Sequence, residues 1–167
     1  NIAIDLRDKN LENCISVMQQ TDEYSQMFVD NADGLDLIGP DTLLVLVDHN
    51  TLSRSQFADI STKVKNVVII DHHRRQHQLY DFKPLMTYIR PGVSTASELV
   101  SEMLEFSPHR DALLKEEANL MLAGLMLDTK NFTSSVGMQT FSAVHYLYER
   151  GAHASVVRKF FTETMSN

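Results

Sequence analysis

Val67-Val68-Ile69-Ile70-Asp71-His72-His73-Arg74-Arg75 decides how this chain is read. Four β-branched apolar residues run directly into a carboxylate, two imidazoles and two guanidinium groups. A short continuous apolar run with polar flanks reads as a strand buried on both faces, the pattern of a parallel sheet. In open α/β sheets ligands bind beyond the carboxyl ends of the strands, so Asp71, His72 and His73 are expected at the rim of a crevice. Neutral imidazole together with carboxylate suits Mn, Fe, Zn and similar divalent cations. A strand can also end in polar residues merely because it meets solvent, so one such end decides little by itself.

Two more segments repeat the pattern. Leu43-Leu44-Val45-Leu46-Val47-Asp48 is a second buried-strand pattern that ends on a carboxylate. The apolar segment Leu120 to Leu127 ends in Asp128-Thr129-Lys130-Asn131. Carboxylates gathered in one place repel each other unless a cation lies between them. This is the physical argument for a metal site, and it comes from pattern alone.

The order of elements predicts an α/β fold, a parallel β-sheet with helices on both faces. Asn1 to Leu6 alternates as a short strand, and Leu11, Ile15 and Met18 recur at helical spacing behind Asp8 as a candidate cap. Gln26 to Val29 reads as a strand, Asn31-Ala32-Asp33-Gly34 as a turn, and Gly39-Pro40 as a break before the strand ending at Asp48. Ser53 to Val64 reads as a helix, Arg74 to Asp81 as a loop and Leu85 to Ile89 as a strand. After the Pro91-Gly92 turn, Ser94 can cap a helix whose apolar face is Leu99, Met103 and Phe106. A long helix is expected from His109 to Leu127, with Leu113, Leu114, Leu120, Met121, Leu125 and Met126 toward the core. Thr140 to Arg150 is amphipathic and Gly151 closes it, before a last helix from Ala154 to Thr162.

With 167 residues the chain can form one domain with a real core, and no linker or repeat divides it. No apolar run approaches the length of a membrane span and no signal-peptide pattern opens the chain, so no membrane contact is expected from these residues themselves. The formal charge of −7 argues against a DNA partner held by a basic surface, though not against a small phosphate ligand. Cys14 alone cannot form an internal disulfide; it is expected as a small buried apolar residue on a helix, and a reducing cytosolic compartment fits it. The methionines and phenylalanines read as irregular core filling. Among the other histidines, His49 and His77 lie near enough in sequence to the site to be tested.

The chain resembles the DHH phosphoesterases, and within them the cyclic-di-AMP phosphodiesterases of the GdpP (YybT) type. The residues that carry the resemblance are Asp48 in LLVLVDHN, Asp71-His72-His73-Arg74-Arg75, Tyr88 to Val100 with its STASELV, and Leu122 to Phe132 with its LDTKNF. The double Arg, STASELV and LDTKNF are specific together; the DHH triplet alone is not. The resemblance implies two Mn²⁺ ions, with Asp48 shared by both, His72 a ligand and Asp128 a ligand of the other ion. It implies that His73 contacts phosphate and that Asp71 orients an imidazole through its N–H. Two ions about 3.5–4 Å apart would activate a bridging water for in-line attack, opening cyclic-di-AMP to linear pApA. Arg74 and Arg75 suit a phosphodiester because a guanidinium matches its oxygens bidentately. Ser94, Thr95 and Ser97 at a helix start are candidate phosphate donors or simple caps. A cytosolic catalytic domain of a membrane-anchored parent is implied, and a homodimer is compatible with it.

The sequence also departs from the family. No His followed by Asp-x-Asp precedes Asp48, the smaller C-terminal DHHA1 domain is not found after Asn167, and the loop Ser134 to Phe141 lacks the family's arginines. The expectation is therefore one incomplete DHH domain over residues 1–167, which binds metal weakly and turns over slowly or not at all. Two other readings remain open. One is a nuclease for short oligonucleotides such as pApA, or a pyrophosphatase of similar metal chemistry. The other is a domain that binds nucleotide or a partner without hydrolysis.

Overall fold

The computed structural model describes residues 1–5, 11–51, 55, 58–74 and 83–162. The chain forms two compact units, Asn1–Ile89 and Arg90–Asn167. The expected cap Asp8 and the end of the first strand pattern at Leu6 lie outside the described residues, as do Arg75, His77 and the rest of the loop to Asp81.

In the first unit, strand β1 (Ile2–Ala3) pairs in parallel with β2 (Phe28–Val29). A second parallel sheet has the order β3 (Leu43–Val47), β4 (Asn66–Asp71), β5 (Met86–Ile89). Parallel neighbours need crossover connections: α1 (Glu12–Gln19) lies between β1 and β2 and α3 (Ala58–Lys63) between β3 and β4, while α2 (Asn31–Asp36) links the two sheets. The fold is thus α/β with parallel sheets, as the element order predicts. Val67 and Ile69 on β4 are completely buried and form the sheet's core with Leu46, against which Leu44 and Ile89 pack. β3 is only half as buried as its apolar run suggests. It is an edge strand among the described residues; Leu44 and Leu46 face the core while Leu43, Val45 and Val47 are exposed.

The stretch read as a turn, Asn31 to Gly34, is the first part of helix α2. Asp30 makes the difference: its Oδ1 accepts from the N–H groups of Ala32 (2.9 Å) and Asp33 (3.0 Å), which starts a helix where the composition suggests a bend. Gly34 is there for space, since a Cβ on it would lie 2.8 Å from Ile60 Cδ1 on α3. Within the expected Ser53–Val64 helix, α3 occupies Ala58–Lys63.

The second unit is helical: α4 (Ala96–Glu105), α5 (Lys115–Asp128), α6 (Met138–Glu149) and α7 (Ala154–Thr162). Thr95, not Ser94, caps α4, its side chain accepting from the Ser97 N–H at 3.1 Å. Leu99 is buried, but Met103 and Phe106 are exposed, so the apolar stripe of α4 is narrower than its spacing suggests. α5 begins at Lys115, not His109: Leu114 is extended (φ −79°, ψ 156°) and its N–H donates to the Glu117 carboxylate at 2.8 Å. Its buried face is Ala118, Asn119, Leu122, Ala123, Leu125 and Met126, leaving Leu113, Leu114, Leu120 and Met121 half-buried. Asn119 is satisfied in its burial by two bonds, from its Nδ2 to the Lys115 carbonyl (2.8 Å) and from the His153 N–H to its Oδ1 (2.9 Å). Gly151, at φ 90°, ends α6 with an N–H bond to the Tyr148 carbonyl, as expected of a helix stop. No helix among the described residues is long and apolar enough to cross a membrane.

Candidate metal centre

The parallel pairing of β3 with β4 sets Val47 beside Ile70, so the residues that follow emerge together at the carboxyl ends. Asp48 is the first residue past β3 and bends the chain with φ 67°, a conformation Asp tolerates better than most side chains. Its N–H still reaches the Ile70 carbonyl at 3.0 Å, which ties the bend to β4. His72 Nε2 lies 3.1 Å from Asp48 Oδ1, and the His72 and His73 ring centroids are 4.4 Å apart. One ligand atom each from Asp48, His72 and His73 falls within 4.8 Å of the others. Carboxylate and imidazole donors at this spacing, with the Asp48 side chain open to solvent, fit a borderline divalent cation.

Asp71 closes β4 and is completely buried. Its Oδ1 accepts from the His73 backbone N–H (3.2 Å) and lies 2.7 Å from His73 Nδ1. A carboxylate only accepts, so Nδ1 carries the proton and the ring's lone pair is left on Nε2. Burial pushes the Asp71 carboxyl up, but the hydrogen bonds from the His73 ring and backbone and from the His72 backbone outweigh this and hold it below the usual carboxylate range. Asn50, also buried, donates from Nδ2 to the His73 carbonyl at 3.4 Å. Asn50 was not singled out in the sequence, because nothing in its own neighbourhood points to a partner 23 residues away. His49 keeps Nδ1 3.0 Å from the Val47 carbonyl, while its Nε2 is buried without a hydrogen-bond partner among the described residues. Arg74 is exposed; Arg75 lies outside the described residues.

In the second unit Asp128 is exposed at the last position of α5. Ser94 and Thr95 are buried, and Ser97 is half-buried beside Gly124. Ser94 donates to the Ser135 carbonyl and lies 2.9 Å from the Thr140 hydroxyl, which also donates to Glu98 at 2.9 Å. The hydroxyls of Ser94 and Thr95 thus carry internal bonds. Glu98 and Thr140, 42 positions apart, are a buried pair that no local pattern announces.

The chain belongs to the DHH family: the description "DHH family, N-terminal domain" matches residues 5–125. It is 34% identical over 158 residues to the cyclic-di-AMP phosphodiesterase GdpP of Bacillus subtilis, covering 95% of this chain and 24% of that protein. It is 40% identical over 133 residues to GdpP of Geobacillus thermodenitrificans, covering 80% of this chain and 20% of that protein. Cyclic-di-AMP phosphodiesterase PdeA of Listeria monocytogenes is 34% identical over 153 residues, 90% of this chain and 23% of its own. The chain therefore spans less than a quarter of the length of these relatives. Among solved structures, an exopolyphosphatase-related protein from Bacteroides fragilis matches with a TM-score of 0.67 and 26% identity, over 87% of this chain and 41% of that one. A putative family II inorganic pyrophosphatase of Methanococcus jannaschii shares the fold, with a TM-score of 0.55 at 24% identity over 75% of this chain and 41% of its own. The chain thus carries a DHH-family domain, and its relatives are of the GdpP type.

Proposed function

We propose that this domain hydrolyses a cyclic dinucleotide, cyclic-di-AMP, to linear pApA with the help of divalent metal, Mn²⁺ by preference. The observation that supports this most is the pairing of Asp48 with His72 at the ends of adjacent parallel strands, in a chain whose relatives are cyclic-di-AMP phosphodiesterases. Asp48 and His72 would hold metal, and Asp128 is assigned as a further ligand on the second unit. When bound, such ions polarise a phosphoryl group and lower the pKa of a bound water. Asp71 fixes the His73 ring by its Nδ1–H, which leaves Nε2 to meet the phosphate, donating to a phosphate oxygen when the ring carries both protons. Arg74 and Arg75 take the phosphodiester oxygens, and the start of α4 at Ser94, Thr95 and Ser97 adds a dipole that favours anions.

Purified chain incubated with cyclic-di-AMP and Mn²⁺ should release pApA, however slowly, and chelator or Asp48→Ala should stop it. Release of AMP from pApA with cyclic-di-AMP left intact would favour the short-oligonucleotide nuclease instead. Binding of cyclic-di-AMP without any metal-dependent product would favour a non-hydrolytic domain.

A further inference from the structure

Three successive residues after α5 hold a backbone conformation that side chains disfavour: φ is 50° at Lys130, 56° at Asn131 and 64° at Phe132. An Asn tolerates this region; a bulky Phe there is an outlier that persists only where its surroundings enforce it. The surroundings here are hydrogen bonds. Thr129, completely buried, accepts the Phe132 N–H on its hydroxyl (3.1 Å) and the N–H groups of Thr133 and Ser134 on its carbonyl (3.0 Å each). Asn131 N–H reaches the Met126 carbonyl at 2.7 Å. At the far end of the loop, Thr140 accepts the Gly137 N–H at 3.0 Å and donates to buried Glu98, while Ser94 holds the Ser135 carbonyl.

The enforced turn sets the Phe132 ring on that of Phe141, with centroids 6.2 Å apart and planes 26° from parallel. Phe132 is half-buried, but its partner Phe141 is 56% exposed and Met138, one helical turn before it, is 83% exposed. A fold that strains its backbone at Phe132 to set its ring against an exposed partner gains little from burying that pair. We propose that Phe132 and Phe141 form a stacking platform for the purine base of a nucleotide ligand. This rests on the nucleotide-phosphodiester reading above. Every base has a π-face that stacks on an aromatic side chain, and near-parallel rings extend that surface. Lys130, exposed on the same turn, offers a cation to the phosphate, and the exposed Asp128 precedes it by two positions. Charges flanking the rings favour a nucleotide over a protein partner, since the centre of a protein interface is depleted of charge.

The test uses the chain with two ligands that divide the nucleotide between them, adenosine without metal and ribose 5-phosphate with Mn²⁺, followed by NMR of the phenylalanine rings and by titration. Adenosine should shift the Phe132 and Phe141 ring signals, and Phe141→Leu should weaken its binding about ten-fold, within the range for losing one base stack. Phe106→Leu, at an 81% exposed ring outside the platform, should leave adenosine binding unchanged. Both exposed positions tolerate Leu without loss of fold, which a thermal melt checks. Adenosine binding that is equal in wild type and Phe141→Leu, or absent in both, overturns the platform whatever ribose 5-phosphate does. Self-association that buries the two rings and is abolished by Phe141→Glu also overturns it. Ribose 5-phosphate failing to bind with Mn²⁺ while adenosine still shifts the rings would instead count against the phosphodiesterase reading and leave the platform standing.

Discussion

Asp71 and His73 are joined twice: one buried carboxylate oxygen takes both the backbone N–H (3.2 Å) and the ring Nδ1–H (2.7 Å) of a residue two positions on. The two bonds together fix the imidazole's orientation and its tautomer. Asp71→Asn keeps the shape but makes the acceptor neutral, and neutral hydrogen bonds are weaker than charge-assisted ones by about 1 kcal/mol. Urea unfolding should show a loss of that order, and ¹⁵N NMR should show His73 gaining the tautomer protonated at Nε2. An unchanged tautomer in the variant would mean that something other than Asp71 sets the ring.

The two neighbouring imidazoles should differ in their effect on metal. His72 Nε2 faces Asp48 Oδ1 at 3.1 Å, whereas His73 Nδ1 is taken by Asp71 and stands 3.9 Å from Asp48. His72→Ala should therefore weaken Mn²⁺ binding on the order of a hundred-fold, at the upper end of what even supporting partners cost a metal site. His73→Ala should weaken it far less and act on turnover. Calorimetric titration of both variants decides it, and equal metal loss would overturn the division of roles.

Gly124 sits inside α5 where glycine costs helix stability, and the reason is spatial: a Cβ there would lie 2.7 Å from Ser97 Oγ on α4. Gly124→Ala alone should bring no gain, because the better helix propensity is offset by displacing Ser97. In a Ser97→Ala background the same change should stabilise by up to about 1 kcal/mol, the Gly-to-Ala propensity difference. A double-mutant cycle in urea measures the coupling. Equal effects in both backgrounds would show that Ser97 moves aside freely.

The parts of this fold that could be read in advance are those where one local signal dominates. Val67 to Ile70 reads as a buried strand, and its partner ending at Asp48 lies one strand away in the same parallel sheet, so Asp48 and His72 meet. The same reasoning fails at the sheet edge, on the strand from Leu43 to Val47. An apolar run says that a strand can be buried on both faces, not that Leu43, Val45 and Val47 find cover. Asn31 to Gly34 was hidden because turn-forming residues become a helix once Asp30 caps them. His109 to Leu114 has helical composition, but the Glu117 carboxylate captures the Leu114 N–H and starts α5 there. The Glu98–Thr140–Ser94 bonds and the left-handed turn at Lys130 to Phe132 depend on partners outside any short window of residues, so no local pattern displays them.

Tyr146 on α6 is completely buried and donates its hydroxyl to the Arg110 carbonyl at 2.7 Å, pinning the segment between α4 and α5. Tyr146→Phe leaves that carbonyl without this donor and should cost about 1 kcal/mol, the net worth of a typical hydrogen bond. The pH dependence carries a sign that separates this bond from mere packing. Burial pushes the Tyr146 phenol up, an effect that the nearby Arg150 and Arg110 charges reduce without cancelling. The folded state therefore keeps the proton to higher pH than the unfolded chain, whose tyrosines ionise near about 10. The contribution is whole below that pH and is lost as pH rises through the raised folded value. Melting temperatures of wild type should thus fall more steeply than those of Tyr146→Phe above pH about 10, so that the gap between them narrows. Parallel curves across the alkaline range would show that the buried phenol does not govern this stability.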